Sequence, residues 1–222
     1  MTTFGANGVM WRIHEHGERR RAEIMAHLLE PKFDDSILDV GCGDGYQTSY
    51  IVGRVSYVVG VDISLENLKE AKKRLMSGDV VCASSEKLPF QSQIFDKIIC
   101  LELLEHLKNP NKTLREIELV LKRSGILVVS VPYKELIRLT LCIHCGKLTP
   151  LYGHLHSFDE QKVSSILPDN LTTLKRVYTC TPVAGFPIFS FLPIRLWKLV
   201  DYLSRVLLGM RPSWFINKFQ KI

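Results

Sequence analysis

The chain has 222 residues, of which 46% are hydrophobic and 23% charged, and this is ordinary for a soluble globular protein with one α/β domain and an appendage. The formal net charge is +6, and the segment 183–222 carries six basic residues against one acidic residue. Most of the positive excess therefore lies at this end, either as a solvated face or as a surface for phosphate, an anionic membrane or an acidic substrate.

Two membrane-related features are not expected. The N-terminal stretch lacks the apolar core of a secretory signal, so we expect a reducing cytosol and no disulfides among the six cysteines. Residues 177–194 carry no charge, but prolines and a glycine interrupt them, and a spanning helix is excluded.

Short apolar strands alternate with helical segments along the chain. Strands that are apolar on both faces and alternate with helices predict a parallel sheet covered on both sides. The predicted helices cover residues 9–29, a segment from Tyr46, 65–76 with Ser64 as N-cap, and 113–123. The predicted strands cover residues 36–40, 57–61, 79–82, 95–101, 126–131 and 171–180, with "WFINKFQKI" as a last strand at the sheet edge.

The segment "ILDVGCGDGYQT" joins the first strand to a loop of almost bare backbone. Gly41, Gly43 and Gly45 alternate there, whereas the dinucleotide fingerprint is G-x-G-x-x-G. Asp62 ends the second predicted strand, where a carboxylate can accept both ribose hydroxyls of an adenosine ligand. The spacing argues against a nicotinamide oxidoreductase, in which this loop would hold a pyrophosphate.

Five segments follow one another in order: "ILDVGCGDG", "VVGVDIS", "CASSEKLPF", "FDKIICLELLEHL" and "LKRSGILVVSVP". Over about residues 36–131 they resemble the class I S-adenosylmethionine-dependent methyltransferases of the type 11 group, which is similar to ubiquinone- and menaquinone-pathway enzymes. The resemblance implies a Rossmann-like three-layer sandwich with a mostly parallel seven-stranded sheet and an antiparallel last strand. It also implies an enzyme that takes its methyl group from S-adenosylmethionine.

The resemblance assigns cofactor contacts to individual residues. It implies that Asp39, Gly41 and Gly43 surround the methionine part, Asp62 binds the ribose, Ile63 packs on the adenine, Ser85 and Glu86 lie at the adenine edge, and Leu101 offers main-chain contact to the methionine end. The family often has Asp where this chain has Ser84, so we expect the main chain to recognise the adenine amino group. One of Arg19, Arg20 and Arg21 is expected at the cofactor carboxylate.

A cysteine–histidine cluster follows in "CIHCGKLTPLYGHLH". Cys142 and Cys145 on a tight turn, with His154 and His156, have donor types that suit a tetrahedral zinc site. The alternative is a pair of packed thiols with two pocket histidines, because related methyltransferases often direct a histidine of this segment at the substrate.

A second cluster, Glu102-x2-Glu105-His106, resembles the metal motif of ubiquinone-pathway O-methyltransferases and of small-RNA 3′-terminal 2′-O-methyltransferases. That resemblance implies a divalent cation with His154 as a fourth ligand. In many type 11 enzymes the same residues bind no metal, and we favour that interpretation for this chain. His106 and His154 are the candidates for a catalytic base.

We expect a single domain over residues 1–222. It comprises an N-terminal helix (1–30), the cofactor-binding core (31–135), the Cys/His insertion (136–165) and a lid-like helical insertion (183–211) before the last strand. In this last insertion one helical face carries Ile194, Trp197, Val200, Leu203 and Leu207, which would pack on the sheet, cover an acceptor or rest on a membrane.

The expected acceptor is a small or lipid-like molecule methylated on oxygen, nitrogen or carbon. Peripheral membrane contact through the basic C-terminal region is a further expectation for this cytoplasmic protein. The alternatives are an RNA acceptor bound by the same region and a zinc-stabilised binding module that has lost catalysis.

Overall fold

The computed structural model describes residues 6–76, 78–179 and 192–222, with side chains from residue 16 onward. The strands are β1 (Ser36–Val40), β2 (Tyr57–Asp62), β3 (Asp79–Cys82), β4 (Phe95–Leu101), β5 (Leu121–Pro132), β6 (Leu139–Leu141), β7 (Leu148–Pro150), β8 (Leu171–Thr179) and β9 (Trp214–Lys221). The helices are α1 (Ala6–Leu29), α2 (Leu65–Leu75), α3 (Pro110–Val120), α4 (Glu160–Ile166) and α5 (Ile194–Leu208).

Seven strands form one sheet in the order β3-β2-β1-β4-β5-β9-β8. The first five of these pair in parallel, and β9 is antiparallel to both of its neighbours. Strands β6 and β7 form a separate hairpin. The mostly parallel Rossmann-like sheet with an antiparallel last strand is thereby confirmed.

Two hydrophobic cores cover the two faces of this sheet. Consecutive residues of β1 point to opposite faces, so Ile37 packs with α1 and Trp197, while Leu38 packs with α3 and α4. This arrangement gives the three layers, and it explains why the central strands are apolar on both faces. No helix within the described ranges is long and apolar enough to cross a bilayer.

Most strand predictions hold, and the N-cap of α2 is confirmed, since the Ser64 side chain accepts a hydrogen bond from the Asn67 N–H. The helix predicted from Tyr46 is wrong. Two short 3-10 turns, Thr48–Tyr50 and Val52–Arg54, stand there instead, because serine, β-branched residues and glycine in this stretch are weak helix formers.

The helix predicted over residues 113–123 begins earlier and ends earlier. It starts at Pro110 and gives way to β5 after Val120. Proline suits the first helical turn because its missing N–H has no intrahelical partner there, so Pro110 was the start signal that the prediction overlooked.

The edge position predicted for the last strand is also wrong. β9 lies between β5 and β8, and its Phe215, Ile216 and Phe219 are buried. β8 is the edge strand and is mostly exposed or half-exposed, as an edge strand tolerates.

The apolar face predicted for the last insertion is divided in the structure. Trp197 is buried, whereas Leu203 and Leu207 point outward. The part of that insertion at residues 183–191 lies outside the described residues.

Close packing behind the glycine loop generates a stability prediction. Gly45 has φ +77°, and a Cβ built on it would lie 3.1 Å from the Ala71 Cα. We expect Gly45→Ala to lower the free energy of unfolding by about 1–3 kcal/mol in urea titrations. Gly53→Ala is the control, because Gly53 has no heavy atom within 4 Å of the added Cβ. Equal effects of the two substitutions would contradict the packing argument.

Candidate active site

The carboxyl ends of β1, β2 and β4 meet at one edge of the sheet. The chain leaves β1 for the glycine loop, β2 ends at Asp62, and β4 ends at Leu101. The strand order reverses between β1 and β4, and open α/β sheets bind ligands at such a switch point.

The glycine loop is a stretch of left-handed backbone tied to β2. Gly41, Gly43 and Gly45 have φ values of +77°, +54° and +77°. The N–H groups of Gly41 and Cys42 donate to the Val61 carbonyl at 2.7 and 3.0 Å. A Cβ on Gly43 would meet nothing within 4 Å, so the middle of the loop presents bare main chain to open space.

The carboxylate of Asp62 closes this loop. One oxygen accepts a hydrogen bond from the Gly43 N–H at 2.9 Å, and the other accepts from the Ser64 N–H at 2.8 Å. The next side chain, Ile63, is 76% exposed. An exposed branched apolar side chain beside a carboxylate is a suitable surface for an aromatic base above a ribose.

Asp39 lies beneath the loop and is almost completely buried. The Thr48 hydroxyl donates a hydrogen bond to its carboxylate. Burial raises the pKa of Asp39 to about 7, and the negative charge of Asp62 acts in the same direction. Asp39 therefore supports the loop from below.

The other predicted cofactor residues border the same edge. The Ser85 hydroxyl lies 3.1 Å from the Thr113 hydroxyl, and Glu86 pairs with Lys112 at 3.6 Å. With both side chains engaged, a ligand at this edge would meet mainly their backbone. Leu101 is buried at the end of β4.

Comparisons with known proteins decide the family. The family described as "Methyltransferase domain" matches residues 38–129, which include the glycine loop, Asp62 and Leu101. The uncharacterized protein MJ0638 of Methanocaldococcus jannaschii is 30% identical over 178 residues, covering 80% of this chain and 75% of its own length. The chain belongs to the S-adenosylmethionine-dependent methyltransferases.

Further relatives of this methyltransferase carry functional names. Mycobacterium tuberculosis has a "probable S-adenosylmethionine-dependent methyltransferase Rv3030", 26% identical over 68% of this chain and 53% of that protein. A ubiquinone biosynthesis O-methyltransferase of Idiomarina loihiensis is 37% identical over 42% of this chain and 40% of its own length. The chain thus spans about half or less of these two relatives.

The solved structures agree on the fold. The N-methyltransferase NodS of Bradyrhizobium japonicum, in complex with S-adenosyl-L-homocysteine, superposes with a TM-score of 0.63. The match covers 92% of this chain and 87% of that chain, at 16% identity.

The described residues fit the cofactor of this family. The glycine loop leaves room for a ligand, Asp62 supplies acceptor oxygens, and Ile63 supplies an apolar surface. The structure gathers Asp39, Gly41, Gly43, Asp62 and Ile63 at one place, and their individual contacts remain predictions.

A cavity of about 510 Å³ opens beyond the end of β4. At its entrance Glu102 adopts a left-handed φ of +50°, an uncommon conformation for a non-glycine residue and one that concentrates at functional sites. Its carboxylate accepts a hydrogen bond from the Ser130 hydroxyl at 2.7 Å and forms an ion pair with Arg21 at 2.9 Å. Arg21, one of three candidate arginines, is thereby placed in this cavity.

Two histidines and two further carboxylates also line the cavity. Glu105 is 1% exposed, and among the described residues neither of its carboxylate oxygens has a hydrogen-bond partner. Burial and the charge of Glu102 raise the pKa of Glu105 to about 9. The rings of His106 and His154 meet edge to face at 4.7 Å, and Glu135 binds His154 Nδ1.

Glu135 was not foreseen from the sequence. It precedes His154 by nineteen positions, on the other side of the β6–β7 hairpin, and no local spacing signals their contact. Tyr133 follows the end of β5, and Trp214 begins β9. Both side chains line the cavity, and their proximity was likewise not foreseen from the sequence.

The four predicted zinc ligands are not brought together. Within the described residues, the group whose ligand atoms lie within 4.8 Å of one another is Glu105, His106 and His154, without either cysteine. His156 turns the other way, and its Nε2 lies 2.9 Å from the Leu107 carbonyl. Residues 154–156 belong to no helix or strand, so an H-x-H spacing did not guarantee that both side chains share a face.

The cysteines occupy the tip of the β6–β7 hairpin. The Gly146 N–H donates to the Cys142 carbonyl at 2.8 Å, so the C-x2-C-G segment forms the predicted tight turn. Cys145 is exposed. Hydrogen bonds from the N–H groups of His144 and Cys145 lower the pKa of Cys142.

Asp62 yields a binding prediction. Asp62→Ala removes both the acceptor oxygens and the support of Gly43, so the Kd for S-adenosylhomocysteine in calorimetry should rise at least about tenfold. Asp79→Ala changes an exposed acid at the start of β3 and should leave the Kd unchanged. Unaltered affinity in Asp62→Ala would remove Asp62 from the cofactor site.

Asp39 yields a pH prediction. Its folded-state pKa of about 7 exceeds the unfolded value, so the proton stabilises the fold at low pH, and this contribution is lost as pH rises toward 7. Between about pH 4 and pH 8 the wild type should lose up to about 4 kcal/mol of unfolding free energy that Asp39→Asn retains. Parallel pH profiles in urea titrations of the two proteins would contradict the assignment.

Proposed function

We propose that this methyltransferase acts on a hydroxyl group of a small or lipid-like acceptor held in the cavity beyond β4. The His154–Glu135 pair carries the proposal, because a histidine oriented by a carboxylate is a typical general base. The relative named as a ubiquinone biosynthesis O-methyltransferase supports an oxygen acceptor.

The cavity provides the shape for such an acceptor. Trp214 and Tyr133 offer aromatic surface, while Glu102 and Glu105 at the other side lie next to the end of β4. The Arg21 guanidinium lies 4.9 Å from the Trp214 ring centroid and so fixes the indole. We therefore expect the acceptor to contain an aromatic ring that bears a hydroxyl.

His154 is positioned to take a proton. Glu135 engages Nδ1, which leaves Nε2 as the free acceptor when Nδ1 carries the hydrogen. Burial and the neighbouring His154 lower the pKa of His106, so His106 is neutral at neutral pH and does not add charge to the site.

When bound, S-adenosylmethionine supplies an electrophilic methyl group. The chain aligns the acceptor oxygen with that group, and such alignment can contribute roughly 7–11 kcal/mol. His154 removes the hydroxyl proton as the oxygen attacks the methyl group.

A metal-assisted reaction is the second candidate. Glu105, His106 and His154 place three ligand atoms within 4.8 Å of one another, and the buried Glu105 carboxyl has no hydrogen-bond partner in the described part of the chain. A divalent cation at this position would lower the pKa of the acceptor hydroxyl, and His154 would then be a ligand instead of the base.

His154→Gln tests the proposal. We expect kcat for transfer to phenols and catechols, with and without an isoprenoid tail, to fall by about 10²–10⁴, with unchanged S-adenosylhomocysteine affinity. Glu135→Gln should lower kcat by a smaller factor than His154→Gln does. His156→Gln is the control, because His156 lies outside the cavity lining. Methyl transfer to amines alone would contradict an oxygen acceptor.

Metal removal separates the two candidates. A general base predicts that the enzyme retains its kcat after chelation of metal ions. The metal-assisted reaction predicts instead that Mg²⁺, Mn²⁺ or Zn²⁺ restores activity after chelation, and that Glu105→Gln abolishes this recovery.

A further inference from the structure

Helix α5 buries polar residues and exposes apolar ones, which is the reverse of an ordinary surface helix. Its buried side carries Trp197, Asp201 and Ser204. A surface helix normally turns its apolar stripe toward the core and its polar residues to solvent, so an inward aspartate with outward leucines needs a reason.

The outward side of α5 is apolar over its whole length. Five large aliphatic side chains recur there at helical spacing and are 41–73% exposed. We call them the apolar stripe: Leu196, Leu199, Leu203, Val206 and Leu207. Contiguous exposed apolar surface of this kind marks a binding surface.

The inward residues hold this orientation firmly. Asp201 pairs with Arg205 at 3.2 Å, and the Arg20 guanidinium of α1 lies 5.1 Å from the Trp197 ring centroid. Rotating the helix to bury the stripe would expose Trp197, break its contact with Arg20 and turn the buried Asp201 away from its present position, so the stripe is a fixed feature of the fold.

Positive charge borders the stripe. Arg195 and Lys198 are in the first turns of α5, and neither forms an ion pair within the part of the chain that the structure describes. Burial lowers the pKa of His27, and the charges of Lys198, Lys175 and Arg195 lower it further, so these three cations lie close together around His27.

Tyr202 occupies the boundary between the stripe and the polar flank. It is 55% exposed, and the Arg205 guanidinium lies 6.0 Å from its ring centroid. Tyrosine with an apolar ring and a polar tip is favoured at membrane–water interfaces.

We infer that α5 lies on an anionic lipid bilayer, with the apolar stripe in the interface and Arg195 and Lys198 against the phosphates of lipid headgroups. Leucines on one side and cations at the flank are the composition of interfacial helices. Charge complementarity favours anionic lipid over a second copy of this basic chain, since two copies would bring like charges together.

In the chain, α5 is followed by a residue that lines the acceptor cavity. The chain between β8 and β9 leaves the sheet at Thr179 and returns at Trp214, and Trp214 lines the cavity with His154. Bilayer contact would thus bring lipid-like acceptors beside the cavity, a consequence that rests on the proposed function, whereas the binding surface itself does not.

Vesicle flotation tests the inference. We expect the wild-type chain to float with vesicles of phosphatidylcholine and phosphatidylglycerol, more weakly with phosphatidylcholine alone, and less at high salt. Leu199→Ser with Val206→Ser should reduce partitioning at least about tenfold. Arg195→Gln with Lys198→Gln should reduce partitioning by about tenfold or more on the anionic vesicles.

The matched control is Leu119→Ser on α3, since Leu119 is also half-exposed, at 50%, and lies outside the stripe. This variant should float as the wild type does. The affinity for S-adenosylhomocysteine should be unchanged in every variant. Unchanged affinity verifies folding and separates this test from the proposed function. Absence of wild-type flotation on anionic vesicles would overturn the inference. So would equal flotation of the stripe variant, or sedimentation showing a dimer that the stripe substitutions dissociate without any vesicle binding.

Discussion

The hydrogen bond between the Gly43 N–H and the Asp62 carboxylate is the contact on which the cofactor site depends. β1 must stop abruptly so that main chain, without side chains, turns across the ends of the strands. Three residues with left-handed φ achieve this turn, and only glycine adopts that conformation at low cost. Asp62 then ties the turn to β2, and the same carboxylate is predicted to bind the ribose of the cofactor.

Buried acids give the site its electrostatic character. Asp39 and Glu105 are both nearly inaccessible to water, and burial raises the pKa of each. Arg21 bridges Glu18 and Glu102 and thereby offsets part of the negative charge at the cavity entrance. Glu102 lines the cavity beside Glu105, where a carboxylate would stabilise a bound cation.

Features determined by local chemistry were predictable from the sequence. The apolar run of β1, the glycines after it and the Ser64 cap each depend on neighbours within a few residues, and the structure has all three. Predictions failed where distant segments decide the outcome. The position of β9 depends on two strands far away in the chain, and the His154–Glu135 contact depends on how the β6–β7 hairpin returns.

The orientation of α5 shows the limit of periodicity in another way. A helical face can be recognised from spacing, but the spacing does not state which face is inward. Asp201 is buried because Arg205 compensates its charge, and Trp197 is buried because α1 offers it a packing surface. Neither fact can be read from the amino-acid sequence alone.

The central claim is that the glycine loop and Asp62 hold the cofactor. An NMR titration of ¹⁵N-labelled protein with S-adenosylhomocysteine tests it most directly, because the Gly43 N–H is itself a reporter. The account predicts the largest shifts at Gly41, Gly43, Ile63 and Glu102, with little change in β8. Saturable shifts confined to other parts of the chain, with Gly43 unmoved, would contradict it.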